Sequence, residues 1–284
     1  MLSILIPTYN FNIVSLVKEL HQQATNCNID FEILAYDDAS QSDHNIDNAT
    51  INELKNTLFK ELHINIGRSS IRNLLAKDAQ YENLLFVDSG TFPKNNDFIK
   101  KYLSTKNQKV INGGMTHLKN KPKKPYRLRW VYTKKREGKA LCSSNFLIKK
   151  NVIIKFPFDE SIKKYGYEDI LFFNTLINNN IKVYSFKNQV YHRADDDANT
   201  FIKKSKEAIK NLMDLHKNNK VEKKWSKILQ YYSKLETLKL TRHTANLFKR
   251  FQYLLLKNFN SSYPSLLFYD FYRLGYYCLI KTKR

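Results

Sequence analysis

Short apolar runs and amphipathic stretches alternate four times in the first hundred residues, and few architectures accommodate that rhythm. SILIP, dense in aliphatic residues and stopped by Pro7, predicts a strand. Asn12 can cap a helix over NIVSLVKELHQQA, where Ile13, Leu16, Val17 and Leu20 share a face. FEILAYDD follows as a second strand. A helix is expected over 50–61, with Ile51, Leu54, Leu58 and Leu62 on one side, leading into a strand at LHINI. Gly67 then precedes a helix at SSIRNLLAKDA, a strand at NLLFVD and a helix at NDFIKKYLS. Strands joined through helices pair in parallel, so the reading is an α/β sheet covered on both faces.

Ligands of such sheets bind beyond the carboxyl ends of the strands. Three of the four strand ends carry suitable polar groups: Thr8-Tyr9-Asn10, Asp37-Asp38 and Asp88-Ser89. Any one of them alone reads as a turn or a helix cap. Three at one edge read as a site.

Past residue 105 the rhythm loosens. VINGGMTH and CSSNFLIKK read as further strands, YGYEDILFFNTLINNN as a helix, IKVYSF and NQVYHR as strands, and 199 to the end as mostly helical. This divides the chain into a catalytic domain at 1–198 and a C-terminal helical region at 199–284. The charge divides similarly. Residues 1–100 hold 8 Lys/Arg against 13 Asp/Glu, and the rest hold 40 against 13. KNKPKKPYRLRWVYTKKREGK alone has ten basic residues. Such a field concentrates anions, whether nucleotide phosphates, nucleic acid or anionic lipid.

The lysines of 203–239 are not confined to one face and no recognition motif accompanies them, so a nucleic-acid partner is not expected. SSYPSLLFYDFYRLGYYCLI is aromatic-rich with basic flanks, which leaves two readings open: packing inside the protein, or contact with an anionic membrane surface. No stretch reaches the roughly 20 apolar residues of a spanning helix. Cys27, Cys142 and Cys278 form neither a disulfide framework nor a zinc pattern, so the expected setting is cytoplasmic, with peripheral contact at the cytoplasmic face of a membrane as the further expectation.

The acidic positions suggest chemistry. Asp38 can accept an N–H from a base edge, and Asp88 can face a ribose or a metal. Glu168-Asp169 opens a helix, where anions are favoured, and a carboxylate there can act as general base toward a hydroxyl. His192 can offer a neutral imidazole to a metal. The basic loop can neutralise a diphosphate. On these residues alone the site takes a nucleotide, and the reaction stays open.

The ordered set SILIPTYN, EILAYDDAS, NIGRSSIRN, NLLFVDSG and YGYED resembles family 2 glycosyltransferases with the GT-A fold, over about 190 residues, with SSNFLIKK and QVYHR as further similar elements. The resemblance implies a Rossmann-like nucleotide-binding mixed sheet flanked by helices. It implies transfer of a sugar, with inversion, from a nucleotide-diphosphate donor, UDP by preference, to a hydroxyl of a glycan or lipid-linked glycan. It places Pro7, Thr8, Tyr9, Asp37, Asp38, Arg72, Asp88 and Ser89 at the nucleotide, Asp169 as general base with Glu168 beside it, and Asp88 with His192 at a Mn²⁺ or Mg²⁺ ion.

The family's DxD motif reads Asp88-Ser89-Gly90 here, so its second metal ligand is missing. Three readings follow: a metal held more weakly by Asp88, His192 and the diphosphate; replacement of the metal by Arg127, Arg129, Lys134, Lys135 or Arg136; or a degenerate relative that binds without transfer.

Overall fold

The computed structural model describes residues 1–283 except 106, 164, 194 and 195, with Lys139 and Lys283 described by backbone alone. It contains two compact units. The first comprises Met1–His117, Arg136–Lys163 and Glu168–Arg193; the second comprises Leu118–Lys135, Lys164–Tyr167 and Ala194–Arg284. Three stretches of the expected catalytic region, 118–135, 164–167 and 194–198, therefore group with the C-terminal helices.

In chain order, the first unit contains β1 (Leu2–Thr8), α1 (Val14–Asn26), β2 (Phe31–Asp37), α2 (His44–Ala49), β3 (Thr57–Glu61), α3 (Arg68–Asp78) and β4 (Asn83–Val87). It continues with β5 (Thr91–Pro93), α4 (Phe98–Ser104), β6 (Val110–Asn112) and β7 (Met115–His117). After α5 (Arg127–Lys135), which belongs to the second unit, come β8 (Asn145–Lys149), α6 (Lys150–Lys155), α7 (Glu168–Asn178), β9 (Val183–Ser185) and β10 (Val190–His192). The second unit adds α8 (Ala198–Lys217), α9 (Lys227–Thr237), α10 (Thr241–Phe259) and α11 (Leu266–Lys283).

The main sheet runs β3-β2-β1-β4-β8-β6-β9. Its first four strands are parallel, β8 is antiparallel to both neighbours, and β6 and β9 are parallel, so the sheet is mixed. Alternation along each strand sorts the core into two layers. Leu2, Ile4, Ile6, Leu85 and Val87 pack with α1 and α4 residues on one face. Leu5, Leu84, Phe86, Phe146 and Ile148 pack with α3, α6 and α7 residues on the other. Both faces are apolar because both are covered.

The N-cap of α1 is Ile13, without a side-chain capping bond, so Asn12 is not the cap expected from the sequence; one residue earlier, it accepts the N–H of Val14 (3.1 Å). The helix expected over 50–61 is instead a helical turn followed by β3. Asn56, with φ of 61°, breaks the helical path, Asn52 Oδ1 accepts the Phe59 N–H (2.6 Å), and β2 captures 57–61 as a parallel neighbour. Leu54 and Leu62 pack into opposite layers, so their helical spacing was coincidental. LHINI lies beyond that strand, in the loop to α3.

VINGGMTH is two strands. β6 joins the main sheet, while β7 joins a small sheet of order β5-β10-β7. The chain switches sheets at Gly113-Gly114, where a Cβ on Gly113 would collide with Tyr102 Oη, Asn145 Nδ2 and the Asn188 carbonyl.

The second unit has its own core, in which Phe201, Phe248, Phe259, Tyr269 and Tyr272 are buried. Much of the aromatic C-terminal run is thus used internally. No helix among the described residues is long and apolar enough to cross a membrane.

Candidate active site

The strand order reverses at β1, with β2 on one side and β4 on the other, which opens a crevice at the carboxyl ends of these strands. Thr8, at the end of β1, is buried, and its carbonyl accepts the Asp38 N–H (2.9 Å). Pro7 is half-buried and Tyr9 is exposed at the rim. Asp37 is fully buried and shapes the turn after β2, accepting from Ser40 N–H and Ser40 Oγ (both 2.7 Å) and from Asn45 Nδ2 (3.2 Å). Asp38 holds the loop ahead of α3: its carboxylate accepts the N–H groups of Ile66 (2.7 Å) and Gly67 (2.9 Å). Gly67 has φ of +90°, a conformation that favours glycine, and α3 starts at the next residue.

α3 brings two cations to the site. Arg68 and Arg72 are one helical turn apart, so they share a face. A cation in the first turn of a helix, as Arg68 is, opposes its dipole, and here carboxylates compensate. Arg72 Nη2 donates to Asp88 Oδ1 (2.6 Å), Arg68 Nε donates to Glu168 Oε1 (2.9 Å), and Arg68 Nη2 lies 3.9 Å from Asp88 Oδ2. Arg72 is almost fully buried, with its guanidinium 5.7 Å from the Phe158 ring centroid. Its Nε has no hydrogen-bond partner among the described residues. Arg68 was not singled out from the sequence; its signal was its place one turn before Arg72 in NIGRSSIRN.

Glu168 and Asp169 open α7, where the helix dipole favours them. Asp169 accepts the Ser143 N–H (3.1 Å) and Ser143 Oγ–H (2.6 Å). Burial, and then the neighbouring Glu168 charge, push its carboxyl up to about 6; Arg72 and the Ser143 hydrogen bonds pull the other way. Next to Ser143, the Ser144 carbonyl accepts the Asp88 N–H (3.0 Å), so one short segment ties both acidic stations. Burial and the Asp169 charge push the Cys142 thiol up to about 12, which keeps it protonated and unreactive. Ser143, too, was not singled out from the sequence; a serine ahead of a strand has no distinctive signal.

The residues present do not make a complete metal site. Asp88 is ion-paired to arginines and Gly90 offers no side chain. No group of three or more His, Cys, Asp or Glu among the described residues is arranged to hold an ion. β10 places His192 across from Thr91 and beside His117, while Thr91 Oγ1 donates to the Asp88 carbonyl (2.7 Å). Ser89 is half-buried, and a Cβ on Gly90 would meet no atom within 4 Å.

Of the basic candidates, Arg127, Arg129, Lys134 and Lys135 belong to the second unit, and Arg136 to the first. Arg129 is buried there, 4.0 Å from Asp196 and with its guanidinium 5.0 Å from the Phe201 ring centroid. Arg127, Lys134 and Lys135 line a cavity with Trp130 and Tyr263. Within the first unit, the cations that meet Asp88 are Arg68 and Arg72.

No family model matches the sequence, and no curated protein matches it. Solved structures do match. The Pyrobaculum calidifontis mannosyltransferase PcManGT, in complex with GDP-Man and Mn²⁺, aligns over 99% of this chain and 86% of its own, with TM-score 0.60 and 13% identity. S. aureus TarS 1–349 in complex with UDP aligns over 99% of this chain and 91% of its own, with TM-score 0.53 and 17% identity. The same fragment with UDP-GlcNAc gives TM-score 0.51 and 19% identity over 75% of this chain. In that alignment the chain spans 66% of the TarS fragment, and 65% in a further structure of it. These likenesses, together with the mixed seven-stranded sheet and its flanking helices, show that the chain has the GT-A glycosyltransferase fold.

Proposed function

We propose that the chain transfers a sugar from a nucleotide-diphosphate donor to an acceptor hydroxyl, with inversion and with Asp169 as general base. The observation that carries this reading is Asp169 itself. It is a shielded carboxylate oriented by Ser143, with a proton affinity raised to about 6, beside a crevice at the switch point of the sheet. A base poised near working pH is ionised yet strong enough to take a hydroxyl proton.

The step is one displacement. The acceptor oxygen bonds to the anomeric carbon as its proton passes to Asp169, and the carbon–oxygen bond to the diphosphate breaks with its electron pair leaving on the nucleotide. Charge then develops on that diphosphate, and fixed donors stabilise it. Arg68 and the unpartnered Arg72 Nε are the groups we assign to this. Among the described residues, the side chains present do not by themselves complete a Mn²⁺ or Mg²⁺ site, and the step as written is not routed through one.

UDP is the donor nucleotide we favour, in keeping with the sequence resemblance: the TarS fragment was solved with UDP and with UDP-GlcNAc, while PcManGT was solved with GDP-Man. The acceptor is a hydroxyl of a glycan or lipid-linked glycan, in keeping with the resemblance. A panel of UDP- and GDP-sugars, followed by nucleotide release with and without Mn²⁺, tests the proposal. Turnover with a sugar nucleotide supports it; absence of both binding and turnover across the panel overturns it.

A further inference from the structure

One face of the second unit is apolar without being covered by its own core. α10 buries Ala245, Phe248, Leu255 and Phe259. Leu247, Phe251 and Leu254, spaced i, i+4 and i+7 on another face, are 48%, 38% and 56% exposed. Beyond the helix, Tyr263 is 82% and Leu267 75% exposed. A helix whose outer side meets only water carries polar residues there. The exposed charges of α10 are all positive, Arg242, Lys249, Arg250 and Lys257, and the helix has no Asp or Glu.

A second observation lies next to the first. Lys121, Arg127, Lys134 and Lys135 line a cavity of about 280 Å³ together with Trp130 and Tyr263. No acidic side chain lines it, and none of the four cations has an ion-pair partner among the described residues. Lys134 sits 4.9 Å from the Trp130 ring centroid and Lys121 5.5 Å from that of Tyr263. The turn carrying Tyr263 is fastened to α10 by Asn258 Oδ1, which accepts the Ser265 N–H (2.9 Å). Tyr263 therefore belongs both to the exposed apolar face and to the wall of the cationic cavity.

We propose that this face docks on an anionic membrane surface, and that the cavity takes the phosphate of a lipid headgroup. Exposed Leu, Phe and Tyr side chains edged by cations suit the boundary between headgroups and acyl chains. Charge complementarity selects the occupant. A second copy of the face would set cations against cations, and a nucleic acid would satisfy the cations but leave Leu254 and Leu267 in water. An anionic bilayer satisfies both sets.

The test is co-sedimentation of the full chain with phosphatidylcholine vesicles, with and without phosphatidylglycerol. The chain should pellet only with the anionic vesicles. The double variant Phe251→Asp/Leu254→Asp should lose about tenfold or more in vesicle affinity, because both positions are exposed and a carboxylate there is repelled. Its unfolding temperature and nucleotide binding should not change. Lys134→Glu/Lys135→Glu should weaken vesicle binding as well. In Trp225→Phe, Trp130 is the sole tryptophan, so its fluorescence reads the cavity, and it should respond to the anionic vesicles. A response to free glycerol phosphate without vesicle binding would mean a soluble phosphate ligand and overturn the proposal. Failure to pellet with anionic vesicles would do the same, as would unchanged binding in both charge variants, or a dimer in solution that Phe251→Asp/Leu254→Asp dissociates.

Discussion

Arg72 Nη2 lies 2.6 Å from Asp88 Oδ1, a nearly buried guanidinium against the first carboxylate of the Asp88-Ser89-Gly90 corner. A carboxylate held this way has its charge compensated by the protein's own arginine. Arg68, 3.9 Å from the other oxygen and bonded to Glu168, extends the pairing toward α7.

Removing the buried partner of this pair leaves Asp88 with only the more distant Arg68 (3.9 Å) to compensate it. Arg72→Met should therefore destabilise the fold by about 3 kcal/mol. Urea unfolding checks this; a loss well under 1 kcal/mol would mean that Asp88 is satisfied by other groups.

Asp169→Asn should lower kcat by about 10²–10⁴-fold, the usual contribution of a general base, while donor binding stays nearly unchanged. Steady-state rates measured alongside calorimetric nucleotide titration separate the two. Loss of both would mean that Asp169 supports the fold rather than the chemistry.

The raised Asp169 carboxyl carries a pH dependence of definite sign. The base must be ionised, so kcat/KM should rise with pH through about 6 and then level off. Stability moves the other way. The folded state holds this proton more tightly than the unfolded chain does, so the group's contribution is fullest below about 4 and is lost as pH climbs to about 6. Thermal unfolding of the wild type across that window, compared with Asp169→Asn, should show the difference.

Gly90→Asp should fold normally, because a Cβ there meets no atom within 4 Å. It restores a second carboxylate at the corner, so Mn²⁺ should raise the unfolding temperature of the variant more than that of the wild type. An equal response in both would mean that position 90 does not face a cation site.

The parallel half of the sheet was legible in the sequence because strands covered on both faces read as continuous apolar runs, as SILIP and NLLFV do. The register of β3 was not. Leu54, Leu58 and Leu62 have helical spacing by accident, and it took Asn56 and the open edge of β2 to place the strand at 57–61. Asp38 and Asp88 could be named as strand-end carboxylates, but their partners could not. Ile66 and Gly67 come from a loop about 28 residues on from Asp38, and such pairings leave no local periodicity.

By itself the sequence determined the strand–helix alternation, the polar strand ends and the sign change in charge, since all three depend on local spacing and composition. Only the tertiary structure decided which cations meet Asp88. Lys/Arg-rich 119–139 has the higher charge density, yet α3 packs against the sheet with Arg72 reaching Asp88 from sixteen residues away. A charge acts over a few ångströms of space, and chain distance does not report that separation.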